Sequence, residues 1–88
     1  MGKLLVIREK DAEQLRLAES IEGAAILLLQ DGVYLATSQI KATGGVYAST
    51  PDAEKRGVKG RLRGGVRLVN YAEIVGLLLE QGYTGVNL

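Results

Sequence analysis

Short apolar runs alternate with amphipathic stretches along the chain. The first run, residues 3–8 (KLLVIR), is apolar from Leu4 to Ile7 and turns β-branched toward its end, which predicts a strand. In residues 11–22, Ala12, Leu15, Leu17, Ala18 and Ile21 share one arc of a helical wheel, with Glu13, Arg16 and Ser20 opposite. Asp11 and Gln14, three apart, form a capping-box pattern at the start of that helix, and Gly23 fits its exit. Residues 24–36 (AAILLLQDGVYLA) form the centre of the pattern. Six consecutive apolar residues stop at Gln30-Asp31-Gly32 and resume as the apolar start of a helix. So short a continuous run predicts a strand covered on both faces. Asp31 is the predicted N-cap of a helix over residues 32–39.

Gly44-Gly45 turns into a third strand over residues 45–49. Thr50-Pro51-Asp52 then offers an N-cap, a proline at the first helical position and an acid near the positive helix end; the helix runs to Arg56 and Gly57 closes it. Residues 57–65 (GVKGRLRGG) predict a loop, and residues 66–69 (VRLV) alternate as an edge strand would, with Arg67 facing outward. Asn70 and Glu73 repeat the capping-box pattern before a helix over residues 71–81, ended by Gly82. Its positions Tyr71, Ile74, Val75 and Leu78 fit the i, i+3, i+4, i+7 template. Ala72, Leu77 and Leu79 are apolar too, leaving Glu73, Glu80 and Gln81 for water. A helix this apolar on a domain this small predicts contact with another subunit, with Leu77, Leu78 and Leu79 as the candidate oligomer interface. Residues 83–88 match no template.

The succession βαβαβαβα with short connections predicts an α/β fold: a three-layer α/β/α sandwich with a mainly parallel four-stranded sheet, forming one domain over residues 1–88. Periodicity does not give the strand order.

Overall composition changes this picture little: 47% hydrophobic, 24% charged and a net charge of +1 describe an ordinary globular chain. The absence of both cysteine and histidine changes it more. It excludes a thiolate nucleophile, a persulfide carrier on this chain, a histidine general base, and the usual ligands of zinc, haem and iron–sulfur centres. A hard-cation site built from carboxylates alone has no supporting motif. No catalytic residue, cofactor or metal is expected. The longest apolar run falls far short of the ~20 residues that span a bilayer. The opening MGKLLVIREK is too short in its apolar part for a signal peptide and lacks the Ser or Thr of a myristoylation signal, so the cytoplasm is the expected location.

Two constellations are candidate sites. Gln30, Asp31 and Gly32 place an amide, a carboxylate and a glycine at a strand's carboxyl end, where open α/β sheets place ligands or partners. The same residues also suit a capped, tightly turned helix start, and Asp31 has no second catalytic group beside it. Lys55, Arg56, Lys59, Arg61, Arg63 and Arg67 place six of the eleven basic residues within thirteen positions, with no acid at 55–67. Such a segment attracts nucleic acid, an anionic ligand or an acidic protein face, or else is a solvated loop and a guarded sheet edge. No aromatic interleaves with these charges, which disfavours single-strand stacking. The glycines form neither a Walker A loop nor a GxGxxG turn. The tyrosines sit singly; Tyr34 and Tyr71 each begin a helical apolar face as packing residues.

With these residues laid out, the chain resembles the TusB/DsrH family of the DsrE-like sulfur-relay superfamily. The resemblance rests on LLLQDGV at 27–33, VYA at 46–48, the Asp52…Arg56-Gly57 spacing and VRLVNY at 66–71, with Asn70 where many members carry Asp. It implies a DsrEFH-like three-layer subunit that assembles with DsrE- and DsrF-like (TusD- and TusC-like) chains. Such complexes pass sulfur as a persulfide toward tRNA wobble-uridine 2-thiolation or sulfur oxidation, the transferring cysteine lying chiefly in the DsrE/TusD-type partner. Some members carry a cysteine of their own; this chain has none. The expectation is a non-catalytic subunit that holds a partner through its last helix and a rim of Gln30, Asp31, Gly32 and Asn70, linked only indirectly to tRNA and with no membrane contact. The alternative is a stand-alone homo-oligomeric module that binds a small anion or nucleotide through the arginine- and glycine-rich loop.

Overall fold

The computed structural model describes residues 3–79 and 84–87. Five strands form one sheet: β1 (Lys3–Ile7), β2 (Ala25–Leu28), β3 (Val46–Ser49), β4 (Val66–Val69) and β5 (Thr84–Asn87). Their order is β4-β3-β2-β1-β5, and every neighbouring pair is parallel. The four predicted strands are all present, and β5 joins them from the tail that matched no template. Three helices accompany them, α1 (Ala12–Glu19), α2 (Thr50–Lys55) and α3 (Tyr71–Leu79), with 3-10 turns at Gln30–Thr37 and Lys59–Arg61. The predicted end of the last helix at 81–82 lies outside the described residues.

Topology explains the layers. From β1 to β4 the chain steps across the sheet in one direction, so right-handed crossovers keep α1, the long 3-10 helix and α2 on one face. The return from β4 to β5 at the far edge reverses direction and sends α3 over the opposite face. Two cores result. Leu5, Ile7, Ile26, Leu28, Val46 and Ala48 face Leu15, Ala18, Val33, Leu35, Ala36 and Ala53 on one side. Leu4, Val6, Ala25, Leu27 and Val69 face Ile74 and Leu77 on the other. β2 is buried along its full length, as a continuous apolar run predicts.

The helix starts show which local signals held. Asp11 caps α1 by accepting from the Glu13 and Gln14 amides at 2.9 and 3.3 Å. Asn70 and Glu73 close a reciprocal capping box: the Asn70 amide donates to Glu73 Oε1 at 3.0 Å, and the Glu73 amide to Asn70 Oδ1 at 2.8 Å. At α2 the cap is Ser49 rather than Thr50, its hydroxyl accepting from the Asp52 amide at 3.4 Å. Gly57 closes that helix in the left-handed region, at φ 68.

The stretch after β2 departs further from expectation. It forms a 3-10 helix that already starts at Gln30, which holds φ 50, and Leu29 sits at its cap position without a side-chain hydrogen bond. Asp31 therefore does not cap it. Gly32 is needed for a different reason than a flexible turn: a Cβ there would collide with the Ile7 carbonyl oxygen at the end of β1.

Candidate functional site

The four residues of the predicted rim take four different roles. Gln30 is exposed at the carboxyl end of β2 and lines a shallow cavity of ≈ 260 Å³ with Leu29, Ser49, Pro51, Asp52 and Tyr71. Asp31 accepts from Arg56 Nε at 2.8 Å, and Arg56 Nη1 also reaches Asp52 Oδ1 at 3.3 Å. The Asp31 hydrogen bond, opposed by desolvation, raises the Arg56 guanidinium above its ordinary pKa. One guanidinium thus bridges two carboxylates and ties the 3-10 helix to α2. Gly32 is buried, and the Asn70 side chain is engaged in its capping box.

The six residues of the basic segment differ in their acidic neighbours. Arg56 is committed to Asp31 and Asp52, Lys59 pairs with Glu54 at 3.5 Å, and Arg67 approaches Glu73 at 3.8 Å. Among the described residues Lys55, Arg61 and Arg63 make no ion pair. Arg61 and Arg63 come together with Gln39 on a polar cleft beside Gly60 and Gly64; Lys55 lies outside it.

The last helix is apolar over more of its circumference than the sheet covers. Ile74 and Leu77 point inward, so Leu77 belongs to the core and not to the predicted interface. Leu78 and Leu79 are 38% and 77% exposed, and Tyr71, predicted to pack inward, is 77% exposed. The template residues Tyr71, Val75 and Leu78 lie to one flank of the inward line set by Ile74 and Leu77. Periodicity located the apolar arc but not the part of it that meets the sheet.

A geometric shortfall lies behind this. The face that α3 covers is roughly 19 Å wide between its outer strands, at strand spacings near 4.8 Å, whereas one helix with its side chains is about 10–12 Å across. The β3–β4 side stays open as a cleft of ≈ 400 Å³ lined by Tyr47, Arg67, Val69, Ala72, Glu73 and Gly76 among others. Tyr47 and Arg67 are register partners on adjacent strands, and the Tyr47 ring lies over Gly45. Sequence reasoning passed over Tyr47 as a surface element. Its only local signal was alternation in VYAS, which sets Tyr47 opposite Val46 and Ala48.

Among the described residues no group of three or more acidic side chains is placed to hold a metal ion, and no helix is long and apolar enough to cross a membrane. The surface carries an exposed apolar flank on α3 and, on the helix's other side, an open cleft with a tyrosine and a paired arginine. A family model described as DsrH like protein matches residues 8–83. No curated protein matches the chain.

Proposed function

The chain belongs to the DsrH-like family, which points to a sulfur-relay subunit in general, and on that ground we propose that it is the non-catalytic, partner-holding member of a TusBCD- or DsrEFH-like complex. In that role DsrE- and DsrF-like (TusD- and TusC-like) chains supply the reactive cysteine, in the cytoplasm, toward tRNA wobble-uridine 2-thiolation or sulfur oxidation. A chain with no cysteine offers no thiolate on which a persulfide can form.

The observation that carries the reading is the exposed flank of α3. Tyr71 and Leu79 are each 77% exposed, Tyr71 at the edge of the cavity that Gln30 lines, while the β3–β4 cleft opens along the other side of the helix at Ala72, Glu73 and Gly76. Burying such side chains contributes roughly 1.5–3 kcal/mol each before the costs of association. The test mixes the chain with a DsrE/DsrF-like pair bearing a reactive cysteine and measures native mass and sulfane-sulfur transfer. Wild type joins the complex, and Leu79→Glu stays outside it while keeping its own fold. If Leu79→Glu assembles with wild-type mass, α3 is not the docking surface. If the isolated chain moves sulfur by itself, the non-catalytic assignment fails.

A further inference from the structure

We infer that the loop at residues 60–64 forms an oxyanion-binding cleft for a phosphate-class ligand, with Arg61 and Arg63 as the paired cationic ligands and Gln39 as a neutral partner. The site shares no residue with α3 and stands or falls independently of the docking role.

Three features build it. First, the backbone sets the two arginines side by side. Leu62, between them, is extended at φ −70 and ψ 142, and its side chain packs against the core. Arg61, the last residue of the 3-10 turn, and Arg63, on the far side of Leu62, both line one cleft. Second, the segment is anchored at both arginines. The Arg61 amide donates to the Val58 carbonyl at 2.8 Å and the Arg63 amide to the Ala36 carbonyl at 2.9 Å. The second bond ties the loop to the end of the 3-10 helix, close to Gln39. Third, both guanidiniums are exposed and, among the described residues, have no carboxylate within ion-pair distance, in contrast to Arg56, Lys59 and Arg67.

The cleft they line with Gln39, Gly60, Leu62 and Gly64 measures ≈ 590 Å³. A Cβ at Gly60 or Gly64 would meet nothing within 4 Å, so the space above their backbone is open. Two guanidinium forks, five donors each and always charged, match a tetrahedral oxyanion better than lysine point charges would. The cleft is wide and solvent-accessible, which suits a phosphate carried on a larger molecule as well as a free one.

The experiment titrates the full chain with inorganic phosphate and, separately, with a short single-stranded RNA, reading amide shifts at residues 39 and 60–64 and affinity against salt. Arg61→Ala with Arg63→Ala is compared with Arg16→Ala with Lys55→Ala, which removes the same charge from outside the cleft. All four side chains are exposed, and thermal melts confirm that both variants fold. The cleft predicts saturable binding at those amides, at least tenfold weaker in the Arg61/Arg63 variant and within twofold of wild type in the other. Saturation by phosphate alone assigns a free or terminal phosphate. Binding of RNA without phosphate assigns the phosphodiester backbone, and the log–log salt slope then flattens by about 1.4 in the Arg61/Arg63 variant. Absence of saturable binding to either probe, or equal weakening in both double variants, overturns the site.

Discussion

Arg56 Nε donates to Asp31 Oδ1 across 2.8 Å, joining two elements that are 25 residues apart in sequence, the 3-10 helix behind β2 and the end of α2. The same guanidinium turns its Nη1 to Asp52. Two carboxylates are satisfied through two different nitrogens, a geometry that lysine with its single nitrogen cannot reproduce. Arg56→Lys is therefore expected to lower the melting temperature although charge is unchanged, and Arg56→Ala to lower it further. A lysine variant that melts with wild type would reduce the contact to simple charge balance. The pH dependence has a definite sign. The folded-state pKa of Arg56 is raised, so its stabilising contribution is complete below the unfolded value and is lost only as pH climbs through the folded one. Both values lie above the range in which the fold is handled, so melts across mildly alkaline pH should show no loss from this arginine.

Gly32 tests whether the turn after β2 needs flexibility or space. Its missing side chain lets the 3-10 helix lie against the end of β1, where the Leu29 amide also donates to the Ile7 carbonyl at 3.0 Å. Gly32→Ala drives a methyl into that carbonyl and should cost about 1–3 kcal/mol of stability, as overpacking does. Gly60→Ala, with open space around it, should stay within about 0.5 kcal/mol. Chemical denaturation of the two variants makes the comparison, and equal midpoints would mean that the helix shifts to accommodate the methyl.

The contrast between these sites shows what the sequence carries. Strands β1 to β4 and the caps at Asp11 and Asn70 follow from contiguous residues: an apolar run needs cover on both faces, and a short polar side chain finds the amides of its own helix two and three residues on. Asp31 misled because its partner is not local. An arginine 25 positions away outcompetes the nearby amides, and no spacing rule reports that. Leu77 and Tyr71 misled in the opposite sense. On a helix that is apolar over most of its circumference, composition fixes which residues avoid water, while the sheet beneath fixes which of them succeed. β5 escaped because its four residues, TGVN, have no alternation strong enough to announce a strand; pairing with β1 is a property of the assembled sheet. The basic cluster was legible as composition, but its division into three paired cations and a two-arginine cleft required the positions of Glu54, Glu73, Asp31 and Asp52.

Leu77 and Leu79, two residues apart on α3, should report different quantities. Leu77 is 8% exposed and packs with Leu4, Val6 and Leu27, so Leu77→Ala should destabilise the isolated chain by about 2–5 kcal/mol. Leu79 is 77% exposed, and Leu79→Ala should leave isolated-chain stability within about 0.5 kcal/mol. Denaturation of the isolated chain reads both. A large loss at Leu79 would mean that it packs within the subunit, which would remove it from any docking surface.

The capping box at Asn70 and Glu73 offers the last test, because it separates a helix start from a partner rim at the same residue. Asn70 sits at the carboxyl end of the edge strand β4, where a ligand-facing side chain would be expected, yet its Oδ1 accepts from the Glu73 amide while Glu73 Oε1 accepts from the Asn70 amide. Removing the cap by Asn70→Ala should cost about 1 kcal/mol, and Asn70→Asp, which keeps the acceptor and adds negative charge at the positive helix end, should match or exceed wild type. Glu73→Gln keeps the box but weakens the 3.8 Å approach to Arg67, an exposed pair from which little stability is expected. If Asn70 serves only the helix, partner binding should follow α3 stability across all three variants, with Asn70→Asp at least as good as wild type. Loss of assembly in Asn70→Asp with the melting temperature intact would place that amide in the interface itself.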